Sequence, residues 1–178
     1  MSDRPYADHF STQARAYAGS RPTYPPELTA WLFAQCPGHQ TVWDCATGNG
    51  QAALALAEHF DAVIATDASA AQLAQAPAHP RVDYRCATAE ASGLAASSVD
   101  LVTVAQALHW FDLERFYAEV RRVTKPDGLL AVWTYGRLQL DDPALDAPMQ
   151  AFYDTRIAPC WPAERAHIED QYARLPFP

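Results

Sequence analysis

The chain has 178 residues, which is enough for one domain with a substantial hydrophobic core. Its composition, 49% hydrophobic and 19% charged residues, is that of a globular protein. The net charge of −8 argues against nucleic-acid and anionic-membrane partners, because phosphate groups are bound by clustered Lys and Arg side chains.

The four cysteines, Cys36, Cys45, Cys86 and Cys160, lie far apart and lack CxxC spacing. This pattern predicts neither a zinc cluster nor a disulfide framework, and we expect no bound metal. The first residues are polar and no apolar run is long enough to span a bilayer, so we expect no signal peptide and no membrane segment. A reducing cytoplasm is the expected location.

Two helices are predicted before the first strand. The first has an amphipathic stripe formed by Tyr6, Phe10, Ala14 and Tyr17. The second is expected to place Leu28, Trp31, Leu32 and Gln35 on one side, and Pro37-Gly38 ends it. Residues 1–38 are therefore interpreted as a helical appendage to the domain that follows.

From residue 39 to residue 137, strands and helices alternate. The predicted strands are 41–45, 62–67, 81–86, 99–105 and 129–135, and the predicted helices are 51–59, 69–76 and one that begins after Asp112. Residues 88–98 are expected to be a loop with one turn of helix, and Lys125-Pro126-Asp127-Gly128 has the preferences of a type I turn. Such alternation predicts an α/β, doubly wound, mostly parallel sheet.

After Tyr135 the alternation stops. Residues 143–158 and 163–174 are predicted to be helical, so residues 138–178 are interpreted as a C-terminal helical extension.

The most informative stretch is the first predicted strand and the turn after it. The strand carries Asp44 near its end, and the turn contains Gly48 and Gly50 before an alanine-rich helix. Turns of this kind let a ligand approach the backbone at the carboxyl end of a parallel sheet. The next strand ends in Asp67, 67 − 48 = 19 residues after Gly48, and an acid at this distance is suited to bind a ribose diol. The pattern predicts a ligand that contains a nucleoside.

A nicotinamide cofactor is disfavoured by the glycine spacing. The dinucleotide motif G-x-G-x-x-G would need glycine at Ala46, Gly48 and Gln51, and two of these three positions differ. Small residues instead occupy positions 46, 48 and 50, which indicates a different class of nucleoside ligand.

Several ordered segments identify a family resemblance. The stretches D-C-A-T-G-N-G-Q, I-A-T-D-A-S, A-E-A-S-G-L-A-A-S-S-V-D-L-V-T-V-A-Q-A-L-H-W-F-D and V-T-K-P-D-G-L-L-A-V-W resemble class I S-adenosylmethionine-dependent methyltransferases. The N-terminal F-S-T-Q-A-R-A-Y-A-G-S-R-P-T-Y-P-P-E-L resembles the small-molecule group that includes trans-aconitate methyltransferase. The resemblance implies a Rossmann-like sheet of strand order 3-2-1-4-5, an N-terminal helical lid and S-adenosyl-L-methionine as cofactor.

The resemblance also implies roles for individual residues. It assigns the methionine end of the cofactor to Asp44, Ala46, Gly48 and Gly50, the ribose to Asp67, and the adenine to Ala68, Ala89 and Glu90. Ala105 and Gln106 match residues beside the methionine moiety, while Tyr17 and Arg21 match a lid whose cation pairs with the cofactor carboxylate. His109 and Trp110 match residues that face the reacting methyl group. Ala46 stands where the family usually has Gly, and Thr88 stands where it often has Asp.

Each assignment has a structural alternative. Tyr17 is also part of an apolar stripe, Arg21 is also a loop cation, and Glu90 is also a surface acid near a helix start. His109 is alternatively a packed histidine, and Trp110 alternatively closes the end of the sheet.

The implied reaction is methyl transfer to a small-molecule acceptor by in-line displacement. His109 would be the base if the acceptor is a hydroxyl, an amine or an activated carbon, and no base is needed for a carboxylate. The alternative is a non-catalytic module that binds S-adenosylmethionine or S-adenosylhomocysteine. Residues 138–178 resemble the start of a substrate-cap segment that is cut short, and the family's final strand pair is not evident in the sequence. We therefore expect a fragment or a shortened variant, either monomeric or dimeric through the edge of its sheet.

Overall fold

The computed structural model describes residues 24–178. The expected lid residues Tyr17 and Arg21, and the helix predicted around Tyr6–Tyr17, lie outside the described residues. The chain divides into two compact units, one ending at Trp133 and the other running from Thr134 to Pro178.

The first unit is built on a five-stranded sheet. Its strands, in chain order, are β1 (Thr41–Cys45), β2 (Ala62–Asp67), β3 (Val82–Cys86), β4 (Val99–Ala105) and β5 (Thr124–Trp133). All neighbouring pairs are parallel and the order is β3-β2-β1-β4-β5. The predicted doubly wound fold and its strand order are therefore confirmed.

The first unit also contains helices, of which the first precedes β1 and the others follow β1, β2 and β4. They are α1 (Pro26–Gln35), α2 (Gln51–Leu56), α3 (Ala70–Leu73) and α4 (Leu113–Val123), with a 3₁₀ helix at Leu108–Trp110 before α4. The predicted caps are present, because Ser69 accepts from the amide of Gln72 and Asp112 accepts from the amide of Arg115.

Helices cover both faces of the sheet, and the side chains on both faces of β1 are therefore buried. Val42 packs in a core with Leu32 of α1 and Leu56 of α2. On the other face, Trp43 lies against Phe116 of α4, with ring centroids 6.3 Å apart. Burial on both faces is typical of a central strand in a parallel sheet.

Several predicted boundaries are wrong. Helices α2 and α3 are shorter than predicted, ending at Leu56 and Leu73, and residues 88–98 contain an isolated bridge between Thr88 and Ala91 in place of a helical turn. Trp31 is 59% exposed, so it does not belong to the buried side of α1.

The predicted turn at residues 125–128 is part of a strand. β5 begins at Thr124, opposite Val99, and regular pairing resumes where Leu129 lies opposite Leu101. The K-P-D-G segment is thus an irregularity within β5. Proline is tolerated at such a position because proline has no amide hydrogen to donate to the neighbouring strand. The strand also ends at Trp133 and not at the predicted Tyr135.

The second unit is helical, as predicted, but more broken. It contains α5 (Pro143–Phe152), a π-helical turn (Tyr153–Ile157), two 3₁₀ turns (Ala158–Cys160 and Ala163–Arg165) and α6 (Ala166–Glu169). Within this unit, Arg137 forms ion pairs with Asp154 and Glu169 and stacks over the ring of Tyr153.

Candidate functional site

The turn between β1 and α2 has an alternating backbone conformation. Ala46, Gly48 and Gly50 have positive φ angles of 56°, 61° and 86°. Glycine adopts this left-handed region without cost, whereas alanine is strained there. The small residues at alternate positions are therefore required by the turn itself, and Ala46 is its strained member.

Hydrogen bonds from β2 hold this turn in place. The amide of Thr47 donates to the carbonyl of Thr66 at 2.9 Å, and the amide of Gly48 donates to Asp67 Oδ2 at 2.8 Å. Within the turn, the amide of Gly50 donates to the carbonyl of Thr47 at 3.0 Å. Gly48 and Asp67, which the sequence predicted to share one site, are thus direct partners.

Asp67 lies at the carboxyl end of β2 and is 9% exposed. Its Oδ1 accepts from the amide of Ser69 at 2.8 Å, while its Oδ2 accepts from Gly48. These two hydrogen bonds fix the orientation of the carboxylate at the end of β2.

Asp44 is buried beside the same turn, with 1% of its surface exposed. Its Oδ2 accepts from the Thr47 hydroxyl at 2.5 Å, and its Oδ1 accepts from the Thr103 hydroxyl of β4 at 2.8 Å. The pKa of Asp44 is raised to about 6, mainly by burial and also by the charge of Asp67, against the lowering effect of the two threonine hydrogen bonds. A cationic ligand would favour the charged carboxylate here.

An open pocket lies against the turn, with an empty volume of about 260 Å³ that includes solvent at its mouth. It is lined by Tyr24, Asp44, Ala46, Thr47, Asn49, Gln51, Ala52 and Ala105. A Cβ atom added to Gly48 would meet no atom of the described residues within 4 Å, so that side of the backbone is open to a ligand.

Some of these lining residues were not identified from the sequence. Asn49 and Gln51 alternate with the small residues at positions 46, 48 and 50, and this alternation was the available sequence indication that they line the pocket. Thr47 follows Asp44 by three residues, a spacing typical of a hydroxyl that bonds a nearby acid. Tyr24 comes from before α1 and had no local sequence indication.

The end of β4 reaches the same edge of the sheet. Ala105 lines the pocket, and the next residue, Gln106, has a φ of 60° while its amide donates to the carbonyl of Trp133 at 3.0 Å. A non-glycine residue held in the left-handed region stores strain, and such residues are common at functional sites.

His109 and Trp110 follow within the 3₁₀ helix. Their rings are 4.5 Å apart and tilted by 47°, and His109 is 7% exposed. Neither residue lines the pocket at the turn. Their predicted part in catalysis stays a prediction.

The residues expected at the adenine end lie on neighbouring loops. Ala68 follows Asp67, and its carbonyl accepts from the Cys86 thiol at 3.7 Å. Ala89 is buried, and the Glu90 carboxylate accepts from the amide of Asp112 at 3.0 Å, at the start of α4. Glu90 therefore has a structural role, and its contact with adenine remains a prediction.

The chemistry of the lining tests which ligand fits. Among the described lining residues there is one carboxylate, Asp44, and no Lys or Arg. This arrangement fits a cationic ligand and gives no counter-charge to a pyrophosphate. Asp67 and Gly48 do not line this pocket, although they adjoin it through the turn, and the role of Asp67 in binding a ribose stays a prediction. The lining fits the positive charge of S-adenosylmethionine, which carries a sulfonium.

No metal-ligand cluster and no membrane-spanning helix is found within residues 24–178. In that range no three His, Cys, Asp or Glu side chains are grouped so that they could hold a metal ion. None of the described helices combines the length and apolar character needed to cross a bilayer.

Comparison with known proteins agrees with the geometry. Residues 43–132 match the family model of the methyltransferase domain. A Dictyostelium discoideum protein assigned as a methyltransferase is 35% identical over 96% of this chain and 66% of its own length. An uncharacterised methyltransferase of Schizosaccharomyces pombe is 36% identical over 70% of this chain and 51% of its own length. The chain thus spans about half to two thirds of these relatives.

Solved structures give the same assignment. The structure of a protein from Anaeromyxobacter dehalogenans, assigned as a type II methyltransferase, is 49% identical with a TM-score of 0.81 and is matched over 89% of this chain and 67% of that one. The chain belongs to the methyltransferase domain family, and this membership implies S-adenosylmethionine as its cofactor.

Proposed function

We propose that this chain takes part in methyl transfer from S-adenosylmethionine to a small-molecule acceptor, with the cofactor held at the turn between β1 and α2. The observation that carries the proposal is the hydrogen bond of 2.8 Å between the Gly48 amide and Asp67 Oδ2, beside a side of Gly48 that is open to a ligand. When bound, the cofactor supplies a methyl group that is already activated on a positively charged sulfur.

The residues of the chain then have mainly binding and alignment roles. Asp67 would bind the ribose hydroxyls. Asp44 would stabilise the positive charge of the cofactor in a pocket whose described lining residues include no Lys or Arg. Ala68, Ala89 and Glu90 would line the adenine end. Holding the reacting groups in line and excluding water provides most of the rate increase for a donor of this kind.

His109 is proposed to be the general base that removes a proton from the methyl acceptor, if the acceptor is a hydroxyl, an amine or an activated carbon. His109 is buried beside Trp110, and histidine is the side chain most often used as a general base in proton transfer. We also propose that Tyr17 and Arg21 close over the cofactor carboxylate, and that the acceptor resembles those of the trans-aconitate methyltransferase group. If the acceptor is itself a carboxylate, replacement of His109 by Ala would leave turnover unchanged.

Calorimetry followed by a transfer assay tests the proposal. We expect S-adenosylhomocysteine to bind and NADH not to bind, and we expect labelled methyl groups from S-adenosylmethionine to appear in an extract of small metabolites. Binding without transfer of label would support the alternative of a cofactor-binding module. Absence of S-adenosylhomocysteine binding would contradict both functions.

A further inference from the structure

Tyr84 of β3 lies in one row with the residues at the site. The strand register places Tyr84 beside Ala65 of β2, and Ala65 beside Asp44 of β1. Residues paired in this way project from the same face of a sheet. Because the middle residue of the row is a fully buried alanine, the tyrosine side chain has room to extend across β2 towards β1.

The tyrosine ring extends as far as Gly50, the last residue of the turn. A Cβ atom added to Gly50 would overlap the Tyr84 hydroxyl and would lie 3.0 Å from the Cε1 and Cζ atoms of the ring. Gly50 is also the N-cap of α2, and its carbonyl accepts a hydrogen bond from the amide of Leu54 at 2.9 Å. The position of the tyrosine hydroxyl therefore limits where the turn and the start of α2 can lie.

This support differs from the others that hold the turn. The supports from β2 are hydrogen bonds to Thr47 and Gly48, whereas Tyr84 Oη is buried without a hydrogen-bond partner among the described residues. Burial raises the pKa of Tyr84, and the charge of Asp44 adds to this effect. A buried hydroxyl without a partner lowers stability, so a phenylalanine would favour the fold more than this tyrosine does.

We propose that Tyr84 is a positioning residue for the cofactor and acts through Gly50. Its hydroxyl oxygen packs against Gly50 and so keeps the turn at the distance from β3 at which Gly48 and Asp67 contact the ligand. This inference rests on the proposed function, because the ligand of the turn is taken to be S-adenosylmethionine. Tyr84 does not line the pocket, and its effect is transmitted by contact with the backbone of Gly50.

The test separates affinity from stability in the variant Tyr84→Phe. We expect its midpoint of urea unfolding to be equal to or higher than that of the unchanged protein, while S-adenosylhomocysteine binds about fivefold more weakly because the turn relaxes towards β3. A residue that only stabilised the fold would not produce these opposite changes. Tyr117→Phe, which alters another buried tyrosine of the same unit, is the matched control and should leave the affinity unchanged.

A second variant pair tests the contact itself. Gly50→Ala should weaken binding of S-adenosylhomocysteine, and adding Tyr84→Phe to it should recover part of the loss, because the hydroxyl is the atom nearest to the added methyl group. Unchanged affinity in Tyr84→Phe, with binding by the unchanged protein, would overturn this inference alone. If the unchanged protein does not bind S-adenosylhomocysteine, the proposed function and the inference both fail.

Discussion

Gly48 and Asp67, nineteen residues apart in the chain, are joined by a hydrogen bond of 2.8 Å between the glycine amide and the aspartate carboxylate. The bond ties the turn after β1 to the end of β2, the two segments from which a nucleoside site was predicted. It makes the conformation of the turn and the orientation of the Asp67 carboxylate depend on each other. A change in either residue should therefore affect ligand binding.

The charge of Asp67 is expected to matter for both binding and folding, by comparable amounts of free energy. Asp67→Asn keeps the size of the side chain but weakens the bonds from Gly48 and Ser69, so we expect stability to fall by about 1–2 kcal/mol. Affinity for S-adenosylhomocysteine should fall about tenfold or more, since a neutral amide is a weaker acceptor for two hydroxyls. Calorimetry and urea unfolding measure the two effects.

Asp83→Asn is the control for this variant. Asp83 lies on β3 and pairs with Arg85 at the surface, where ion pairs contribute little. We expect neither affinity nor stability to change measurably. Equal losses in the two variants would show that general charge, and not the carboxylate of Asp67, governs binding.

The open side of Gly48 gives a prediction with a close control. Gly48→Ala adds a methyl group at a φ of 61°, where about 1 kcal/mol of strain is expected, and places it where the ligand approaches. Gly93→Ala adds the same group at a φ of 73° in surroundings that are equally empty. Both variants should lose similar stability, and Gly48→Ala alone should bind S-adenosylhomocysteine at least about tenfold more weakly. Similar affinities would contradict the placement of the ligand over Gly48.

Ala46 is predicted to limit stability. Ala46→Gly removes the strain of a φ of 56° and should raise the free energy of unfolding by about 0.5–1 kcal/mol, after allowance for the greater freedom of glycine in the unfolded chain. Ala118→Gly, an exposed position in α4, should instead lower it by about 1 kcal/mol. Thermal or urea unfolding compares the two, and a loss of stability in Ala46→Gly would contradict the strain.

The pKa of Asp44 predicts how stability depends on pH. The value is raised from 3.8 to about 6, so the folded state holds its proton more tightly than the unfolded state does. The corresponding stability is fully present below pH 3.8 and is lost as pH rises through about 6, with an amplitude on the order of 3 kcal/mol. Asp44→Asn should remove this component from unfolding curves measured between pH 4 and pH 7, and an unchanged pH profile would contradict it.

Ligand charge should be linked to the same proton. If S-adenosylmethionine binds near Asp44, its sulfonium charge lowers the pKa of the carboxyl, and binding near pH 6 releases protons. Calorimetry in two buffers of different ionisation enthalpy detects the release. It should be larger for S-adenosylmethionine than for S-adenosylhomocysteine, which has no sulfonium, and it should be absent in Asp44→Asn.

Glu119 is predicted to hold the loop that follows β3. Its carboxylate accepts from the Ser92 amide at 2.9 Å and from Arg122 Nε at 2.7 Å, and Arg122 also donates to the carbonyl of Leu94 at 2.7 Å. The hydrogen bond from Arg122 is the main cause that lowers the pKa of Glu119 from 4.5 to about 2. Its contribution to stability is therefore present above pH 4.5 and lost as pH falls towards 2, opposite in sign to that of Asp44.

Glu119→Gln tests this anchor. We expect a loss of about 2 kcal/mol in the free energy of unfolding at pH 7, because charged hydrogen bonds to a buried group are replaced by neutral ones. Glu114→Gln, at an exposed position of the same helix, should change it by no more than about 0.5 kcal/mol. The loop contains Ala89 and Glu90, which are proposed to line the adenine end of the site. Affinity for S-adenosylhomocysteine should therefore fall in Glu119→Gln and stay unchanged in Glu114→Gln.

The elements around the turn were predictable because their determinants are local. β1, β2 and β4 have the predicted bounds, since each is a short apolar run buried in the middle of the sheet. The caps at Ser69 and Asp112 were also found, because capping depends on residues only three positions apart. Local patterns failed where pairing with another strand decided the outcome, as in the K-P-D-G segment that continues β5.

By itself, the sequence determined an acid, a turn with small residues at alternate positions, and a second acid, and hence the class of ligand. Only the tertiary structure decided that Asp67 binds the Gly48 amide, that Glu90 accepts from Asp112, and that Tyr84 packs beneath Gly50. These contacts join segments that are distant in the chain, and they depend on strand register, which a single amino-acid sequence does not specify residue by residue.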